Sequence, residues 1–422
     1  MDLLPYMEQW NMLPEAGGVI LCAVSGGRDS MCLLHYLHQL GKEQNFTVAA
    51  AHLNHLMRPT AERDVSFVRM FCAENSIPFY TEAVPVYDRK KEWNVTVEEA
   101  GRRARYEFLE RTAAAVGASR IATAHHRRDQ AETVLLNLLR GTGPEGLSGI
   151  PPVRGRYIRP LLNTSRNEIE TYLIEHRIGY VEDETNQSRD YARNRLRLDI
   201  WPLLETLHGG AEENVVRCAE IIRRENDCLE ELAARYLPET GTEISCAALA
   251  EAPPALQSRV LRQMISRLPA GKKDIGAVHI EGLKSLSAGR GTLTLPGGIT
   301  AQCDGRKLRL FMAESPPPQM LLHQGENRWG DYLLTVVNSG ASAVSVRSWQ
   351  TDDRLILPGS RGARSLKRLF TERGISPPER EVLPVICVDE EVAAVYAVGE
   401  NTGLLEKKAV KITIKKLQEE KN

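Results

Sequence analysis

The sequence predicts an α/β fold: a Rossmann-like parallel sheet with crossover helices, then a mainly helical region, then a small α+β module. Three observations carry this. Through about residue 205, apolar β-rich runs alternate with helical patterns, the signature of parallel strands joined by helices. From about Leu203 helices follow one another without intervening strands. Beyond Ser315-Pro316-Pro317-Pro318, a stiff and extended linker, short strand-like runs return. The expected domains are 1–205, 206–314 and 319–422.

Val19 to Val24 reads as a buried strand, with a helix from about Asp29 to Leu40. Phe46 to Leu53 is the second strand, followed by a helix from Ala61 to about Asn75. Pro78 to Val86 is the third strand, and an Ala- and Arg-rich helix spans Val97 to Val116. Arg120 to Ala124 is the fourth. The next helix begins near Asp129 and stops at the breaker cluster Gly141-Thr142-Gly143-Pro144. A strand around Tyr157 and a helix from Ser165 to His176 complete a sheet of about five strands. Helices are then expected through Leu237 and from Ala255 to Leu268, with β-like pieces at Gly291 to Leu295 and Lys307 to Phe311. In the last domain, Leu333 to Val337, Val344 to Trp349, Val385 to Val388 and Val392 to Val398 alternate as strands do.

Composition narrows the function classes. In 422 residues, 55 acids against 54 bases exclude a basic field over the whole chain, so any nucleic-acid contact must be a local patch. The eight cysteines are scattered without a CxxC or zinc-like grouping, which favours buried free thiols. No uncharged apolar stretch is long enough to span a bilayer, and the N-terminus lacks a secretory pattern. A cytoplasmic enzyme with no membrane partner is the expectation.

Ser25-Gly26-Gly27-Arg28-Asp29-Ser30 follows the first strand and opens the first helix. Glycines there let backbone amides approach an anion, and the helix points its partly positive end at the same place. Ser25 and Ser30 add hydroxyls. Asp29 makes sense beside a phosphate mainly if a divalent cation, such as Mg2+, bridges the two. The string is not a Walker A loop, because the GxxxxGK[ST] lysine is absent. A plain glycine turn with a helix cap is the bland alternative, weakened by the strand–loop–helix setting.

A second cluster, His125-His126-Arg127-Arg128-Asp129-Gln130-Ala131-Glu132, ends the fourth strand on the edge where open α/β sheets bind ligands. His125 could neutralise developing phosphate charge. Asp129 and Glu132, three apart, share a helical face; for Glu132, merely charging a first helical turn is an equally good reading. His52, Asn54, His55 and Arg58 end the second strand and suit nucleotide contacts, or an ordinary surface loop. Arg102, Arg103 and Arg105 lie in a helix whose charged face could be simply solvated. The acidic run Glu182 to Asn186 meets a basic run of Arg189, Arg193, Arg195 and Arg197 that could track phosphates. In the last domain Arg354, Arg361, Arg364, Lys367, Arg368, Arg373 and Arg380 face only Glu372 and Glu379, a local basic surplus that favours a polyanion contact over a solvated face.

At this point the residues resemble a family. The Ser25–Ser30 loop is similar to the pyrophosphatase loop of the N-type ATP pyrophosphatases, the PP-loop family. The fuller set resembles the tRNA(Ile)-lysidine synthetases: His52-Leu53-Asn54-His55 with Arg58, Glu99-Ala100 with Arg102, Arg105-Tyr106, the His125–Thr133 cluster, Arg140 to Gly143, Arg159-Pro160-Leu161, and Asp183 through Arg195. The likeness is dense over about residues 18 to 205 and looser in the last domain.

The resemblance implies a ligase that uses ATP and Mg2+ to adenylate the wobble cytidine of a CAU-anticodon isoleucine tRNA, after which free L-lysine displaces AMP. It implies catalytic roles for Asp29, His125, Asp129 and Glu132, with Asp29 as the metal ligand. Nucleotide contacts would come from Ser25, Gly26, Gly27, Asp29, Ser30, His52, Asn54 and Arg105, the last serving either the nucleotide or lysine. Substrate RNA would meet Arg193, Arg195, Arg361, Arg364, Lys367 and Arg368. A homodimer stays open. Two positions depart from the pattern: Arg128 stands where an acid is usual, which puts the weight on Asp129, and Leu56 stands where glycine is usual. A tRNA thiolase of the same fold would need reactive cysteines, and Cys22 and Cys32 read as buried. A non-catalytic nucleotide- or tRNA-binding module would explain the loop and the basic stretch, but not His125, Asp129 and Glu132 on one edge.

Overall fold

Val19–Ala23 forms β1 inside a six-stranded sheet, and its unbroken apolar run is what burial on both faces requires. The computed structural model describes residues 1–57, 61–181, 192–237, 241–272, 274–312, 317–340, 342–360, 362–375 and 377–417. These divide into two compact units, Met1–Cys228 and Leu229–Asn422.

In the first unit, α1 (Leu4–Gln9) precedes β1. There follow α2 (Arg28–Gln44), β2 (Thr47–Asn54), α3 (Ala61–Glu74), β3 (Phe79–Ala83), α4 (Val86–Trp93), α5 (Val97–Ala115) and β4 (Ala118–Ala122). Next come α6 (Arg127–Leu139), α7 (Pro144–Leu147), the hairpin β5 (Val153–Arg154) and β6 (Tyr157–Ile158), and α8 (Arg166–Glu175). The short α9 (Ala192–Arg195) runs through a π-helical turn, Leu196–Ile200, into α10 (Trp201–Leu207) and then α11 (Ala211–Ala234). Strand order is β3-β2-β1-β4-β6-β5, parallel except for the antiparallel β5.

The two-residue period of β1 divides the core into two layers. Ile20 and Cys22 pack with Met31, Leu34, Leu37 and Ile169 on one face. Leu21 packs with Ala49, Ala51, Phe108, Leu109 and Ala113 on the other. Successive strands β2 and β3 lie to one side of β1 and β4 to the other, so the order reverses between β1 and β4. That opens a crevice at their carboxyl ends, between the Ser25 loop and the segment after Ala122.

Three local differences from the sequence expectation have physical causes. The sheet gains a sixth strand because Gly155, at φ +58°, lets the chain turn back as a hairpin. Strand β4 ends at Ala122, so His125 stands in a loop rather than at a strand's last residue. Helix α4 was not expected, because only Val86 of its eight residues is buried and no apolar period marks it. Cys22, Cys32, Cys72, Cys303 and Cys387 are buried free thiols, whereas Cys218 and Cys228 on α11 are exposed.

In the second unit, β7 (Glu243–Ser245), α12 (Cys246–Glu251), α13 (Pro254–Ser266) and α14 (Ala277–Ser287) are followed by β8 (Gly291–Leu295), β9 (Ile299–Cys303) and β10 (Lys307–Met312). Their antiparallel sheet, β7-β10-β9-β8, and the helices enclose Ile244, Val260, Leu261, Met264, Leu283 and Leu308. A separate core around Trp329, Leu334, Val346, Phe370 and Ile386 belongs to the remaining strands. One sheet there has five strands and includes Val344–Arg347, Val385–Val388 and Glu391–Val395; another has three and includes Tyr332–Asn338. Among the described residues, no helix is long and apolar enough to cross a membrane.

Candidate active site

The loop after β1 is held by its own hydroxyls. Ser30 Oγ donates to the Gly27 carbonyl at 2.8 Å and accepts from the Ser25 amide at 3.1 Å, while Ser25 Oγ accepts from the Gly27 amide at 3.3 Å. Gly26 sits at φ +86° with Val68 packed close by, so a side chain there would be strained. Helix α2 starts immediately afterwards, and its first-turn amides point into the crevice. Asp29, in that turn, is one-third exposed; its Oδ1 is shielded from solvent yet accepts no hydrogen bond.

Across the crevice, α6 is capped by His126. The Arg128 amide donates to His126 Nδ1 at 3.2 Å, and the His126 amide donates to Asp129 Oδ2 at 3.1 Å. Because Nδ1 accepts, the neutral ring carries its proton on Nε2. That nitrogen lies 3.8 Å from Asp29 Oδ2 and 3.6 Å from Asp129 Oδ2. His126 therefore stands between the acids of the two sequence clusters, near both but hydrogen-bonded through Nε2 to neither. Burial opposes ionisation of Asp129, but His126, His125 and the capping amide outweigh it and hold the carboxyl below its ordinary range. His125 lies beside it, Nδ1 3.1 Å from Thr123 Oγ1. Burial pushes its pKa down to about 4 against the pull of Asp129, and Arg159, Arg193 and Arg102 push the same way.

Glu132 has no exposed side-chain surface. Arg197 grips it with Nε at 2.7 Å and Nη2 at 3.0 Å, and Arg193 Nε lies 3.4 Å away. Burial nevertheless raises its pKa, only partly offset by Arg197. Arg193 also donates to Thr133 Oγ1 at 2.6 Å. The structure thus places Arg193, though exposed, against Glu132 and Thr133 of α6; Arg195 is exposed as well. Arg128, the departure from the usual acid, turns away from Asp129: it pairs with Glu212 at 2.5 Å and its guanidinium lies 4.5 Å from the centroid of the Trp201 ring.

At the end of β2, His52 donates through Nδ1 to the Val24 carbonyl at 2.9 Å. Asn54 donates to Glu62 at 3.0 Å and accepts from the Leu56 amide at 2.9 Å. Both are buried and brace the strand end behind the loop. Arg105 on α5 is solvent-exposed and donates to His55 Nε2 at 3.3 Å. Burial, then the charge of Arg105, lowers the His55 pKa to about 4.

In the second unit, Arg364 and Arg368 both pair with Glu372, at 2.5 and 3.1 Å, and Lys367 is exposed between them in sequence. Arg361, Arg58 and the run from Glu182 through Arg189 lie outside the described residues.

Sequence reasoning passed over His126 in favour of His125 and gave Arg197 no partner. A signal for Arg197 existed: Arg193 and Arg197 are four apart, matching the face on which Asp129 and Glu132 lie.

The depressed histidines set an acid limit on stability. His35, His55 and His125 all have pKa values lowered to about 4, chiefly by burial. Between pH 6.5 and 4 the unfolded chain binds protons that the native chain does not, so stability falls as pH drops through that window. The midpoint of thermal unfolding should decline steadily from pH 7 to 5, and His125→Asn should flatten the decline.

Fold and site together define a PP-loop ATP-using enzyme. A family model described as a PP-loop domain matches residues 7–204, and one described as the TilS substrate C-terminal domain matches residues 344–414. The chain is 31% identical to a tRNA(Ile)-lysidine synthase of Clostridium tetani, over 93% of this chain and 92% of that one. It is 34% identical to the tRNA(Ile)-lysidine synthase of Thermotoga maritima, over 91% and 92%. With that of Petrotoga mobilis it shares 44% identity over 48% of this chain and 65% of the other. The chain belongs to the tRNA(Ile)-lysidine synthase family.

Proposed function

We propose that this chain joins free L-lysine to the wobble cytidine of a CAU-anticodon isoleucine tRNA at the expense of ATP. The observation that carries the reading is the meeting of Asp29, His126 and Asp129 across the β1/β4 crevice, with His125 beside them. The cytidine 2-oxygen attacks the α-phosphorus and pyrophosphate leaves. The lysine ε-amine then adds at C2, AMP leaves with the oxygen, and the amine loses a proton.

Backbone amides of the Ser25–Ser30 loop and of the first turn of α2 would hold the phosphates. Asp29 Oδ1 and the Ser25 and Ser30 hydroxyls are hard oxygen donors that fit Mg2+, whose shell phosphate oxygens and water would complete. Among the described residues no cluster of three acids, histidines or cysteines could hold a metal unaided, so the cation would arrive with ATP. When bound, it would neutralise charge on the leaving pyrophosphate. His126 Nε2–H, between the two carboxylates, would donate to one of them as the site closes on its substrates. His125, neutral at pH 7, would donate a hydrogen bond rather than a charge near the α-phosphate. Asp129, ionised, would receive the ammonium or its proton. Arg197 holds Glu132 at 2.7 and 3.0 Å but reaches Asp129 only at 3.4 Å, so Asp129 is the better-placed acid for that role.

Purified protein given ATP, Mg2+ and radiolabelled lysine should label the isoleucine tRNA transcript. ATP turnover that depends on another amine or a sulfur donor, without labelled tRNA, would sink the assignment.

We also propose that the domains divide as 1–205, 206–314 and 319–422; the two separate cores of the second unit support the later boundary. Its last part would contact tRNA through Lys367 and the Arg361–Arg368 stretch. Lys367→Ala should weaken tRNA binding about two- to fivefold and reduce the dependence of binding on salt, in a filter-binding titration. Arg364→Ala should do less, because Glu372 already engages that guanidinium.

A further inference from the structure

A cavity of about 620 Å³ lies in the first unit between α5 and the β5–β6 hairpin, beside the reacting groups rather than among them. Arg102, Arg154, Arg156 and Arg159 line it, against the single carboxylate of Glu110. Arg156 already engages Glu110 at 3.4 Å. Arg154, at the hairpin turn, is exposed and has no ionic partner among the described residues. The lining therefore carries a surplus of positive charge.

Two polar atoms of that lining are buried with hydrogen bonds unmade: the Tyr157 hydroxyl and Arg159 Nε. Tyr157 is 8% exposed and Arg159 4%. Leaving such atoms unpaired costs stability, which a ligand that supplies the missing acceptor recovers. Burial, and then a loose interaction with Glu110, keeps the Tyr157 phenol protonated, so its hydroxyl can turn to an acceptor at closer distance. Both atoms, like the arginines around them, call for an oxyanion.

The cavity has a direction. Arg102 and Arg159, at one end, lie close enough to His125 to depress its pKa. From Arg102 to Glu110 is eight residues of α5, about 12 Å at 1.5 Å per residue. The far end is the hairpin turn with Arg154 and Arg156. The groove thus leads away from the reacting edge with cations at both ends. An ammonium would be repelled, and the triphosphate has the Ser25–Ser30 loop. A chain of phosphates attached to the reacting base fits both the length and the charge.

We propose that this groove binds the sugar–phosphate backbone of the RNA next to the cytidine that reacts, with Tyr157 and Arg159 donating to one phosphodiester and Arg154 meeting the next. The proposal rests on tRNA being the substrate.

The test is binding of the isoleucine tRNA transcript to the full-length protein across a range of salt, without ATP or lysine, so that it does not depend on ligation. Arg154→Glu should weaken binding at least tenfold and lower the salt slope by about one, because one phosphate contact is lost. Arg103→Glu, on the outer side of α5, should change it less than threefold. Tyr157→Phe should weaken binding several-fold with little change in unfolding temperature, since the hydroxyl it removes has no partner at close hydrogen-bond distance in the free protein, only a looser interaction with Glu110. In turnover, R154E should raise KM for tRNA and leave KM for lysine unchanged.

Wild-type affinity in both R154E and Y157F would overturn the proposal. So would equal losses in R154E and R103E, which would mean only a long-range field, or a rise confined to KM for lysine, which would assign the groove to the lysine carboxylate. If R154E and Y157F lose tRNA binding but the wild-type protein ligates no lysine, the groove stands and the ligase reading falls.

Discussion

Asp29→Ala should abolish tRNA adenylation while leaving the fold untouched. Asp29 Oδ1 is shielded from solvent and accepts no hydrogen bond, an arrangement that costs stability unless a ligand uses it. Removing the carboxylate therefore takes nothing from the native protein but a loose approach of Arg28 and His126 Nε2, at 3.9 and 3.8 Å. The chemistry loses more. Without this acid no carboxylate in the first turn of α2 would hold a cation against the leaving pyrophosphate, and the loss should be on the order of a thousandfold, as for other groups that meet charge only in the transition state. Release of AMP from labelled ATP in the presence of tRNA measures it, with thermal unfolding as the control. A variant that still releases AMP at near wild-type rate, with Mg2+ still required, would place the cation elsewhere. Asp29→Asn should resemble Asp29→Ala, because charge rather than shape holds a divalent ion.

Arg197→Ala should be the most destabilising change at the site. Glu132 is wholly buried, and Arg197 supplies its two close hydrogen bonds, at 2.7 and 3.0 Å. Deleting one member of a buried pair leaves a charge in a poor solvent, a loss of about 3–5 kcal/mol. Arg193, its Nε 3.4 Å from Glu132 Oε2, remains as a second cation and moves the expectation to the lower end. That corresponds to a drop on the order of 10 °C in unfolding midpoint for a unit of this size. The double change Arg197→Met with Glu132→Leu should recover most of it, since neither charge then remains.

The pH dependence has a definite sign. Burial raises the native pKa of Glu132 above its unfolded value. The native state therefore binds the proton more tightly, and stability is lost as pH rises through that raised value. Without Arg197 the shift grows. The gap between variant and wild type should be widest near neutral pH and should narrow as pH falls toward 5. A gap that widens on acidification would mean that Glu132 is not the buried charge.

The local parts of this protein were legible in the amino-acid order. β1 could be read because a strand covered on both faces must be apolar throughout, and the loop after it because only glycine takes φ +86° without strain. The arrival of Asp29 and the His125–Glu132 cluster at one sheet edge followed from the alternation of strands and helices. Helix α4 and strand β5 escaped notice for want of a period: one is almost wholly exposed, the other two residues long.

What the sequence by itself determined is the class of fold, the phosphate-type loop and the acids opposite it, since these depend on backbone preference and on the spacing of residues within one segment. Only the tertiary structure decided which histidine meets Asp29, which arginines close on Glu132, and where Arg128 turns. Each depends on contacts between residues remote in sequence: His126 and Asp29 are brought together by the sheet, Arg197 reaches Glu132 across 65 residues, and Arg128 reaches Glu212 across 84. A charged side chain looks the same in the sequence whether it faces water or a partner. Packing alone chooses between them, because burial makes an unpaired charge too costly to keep.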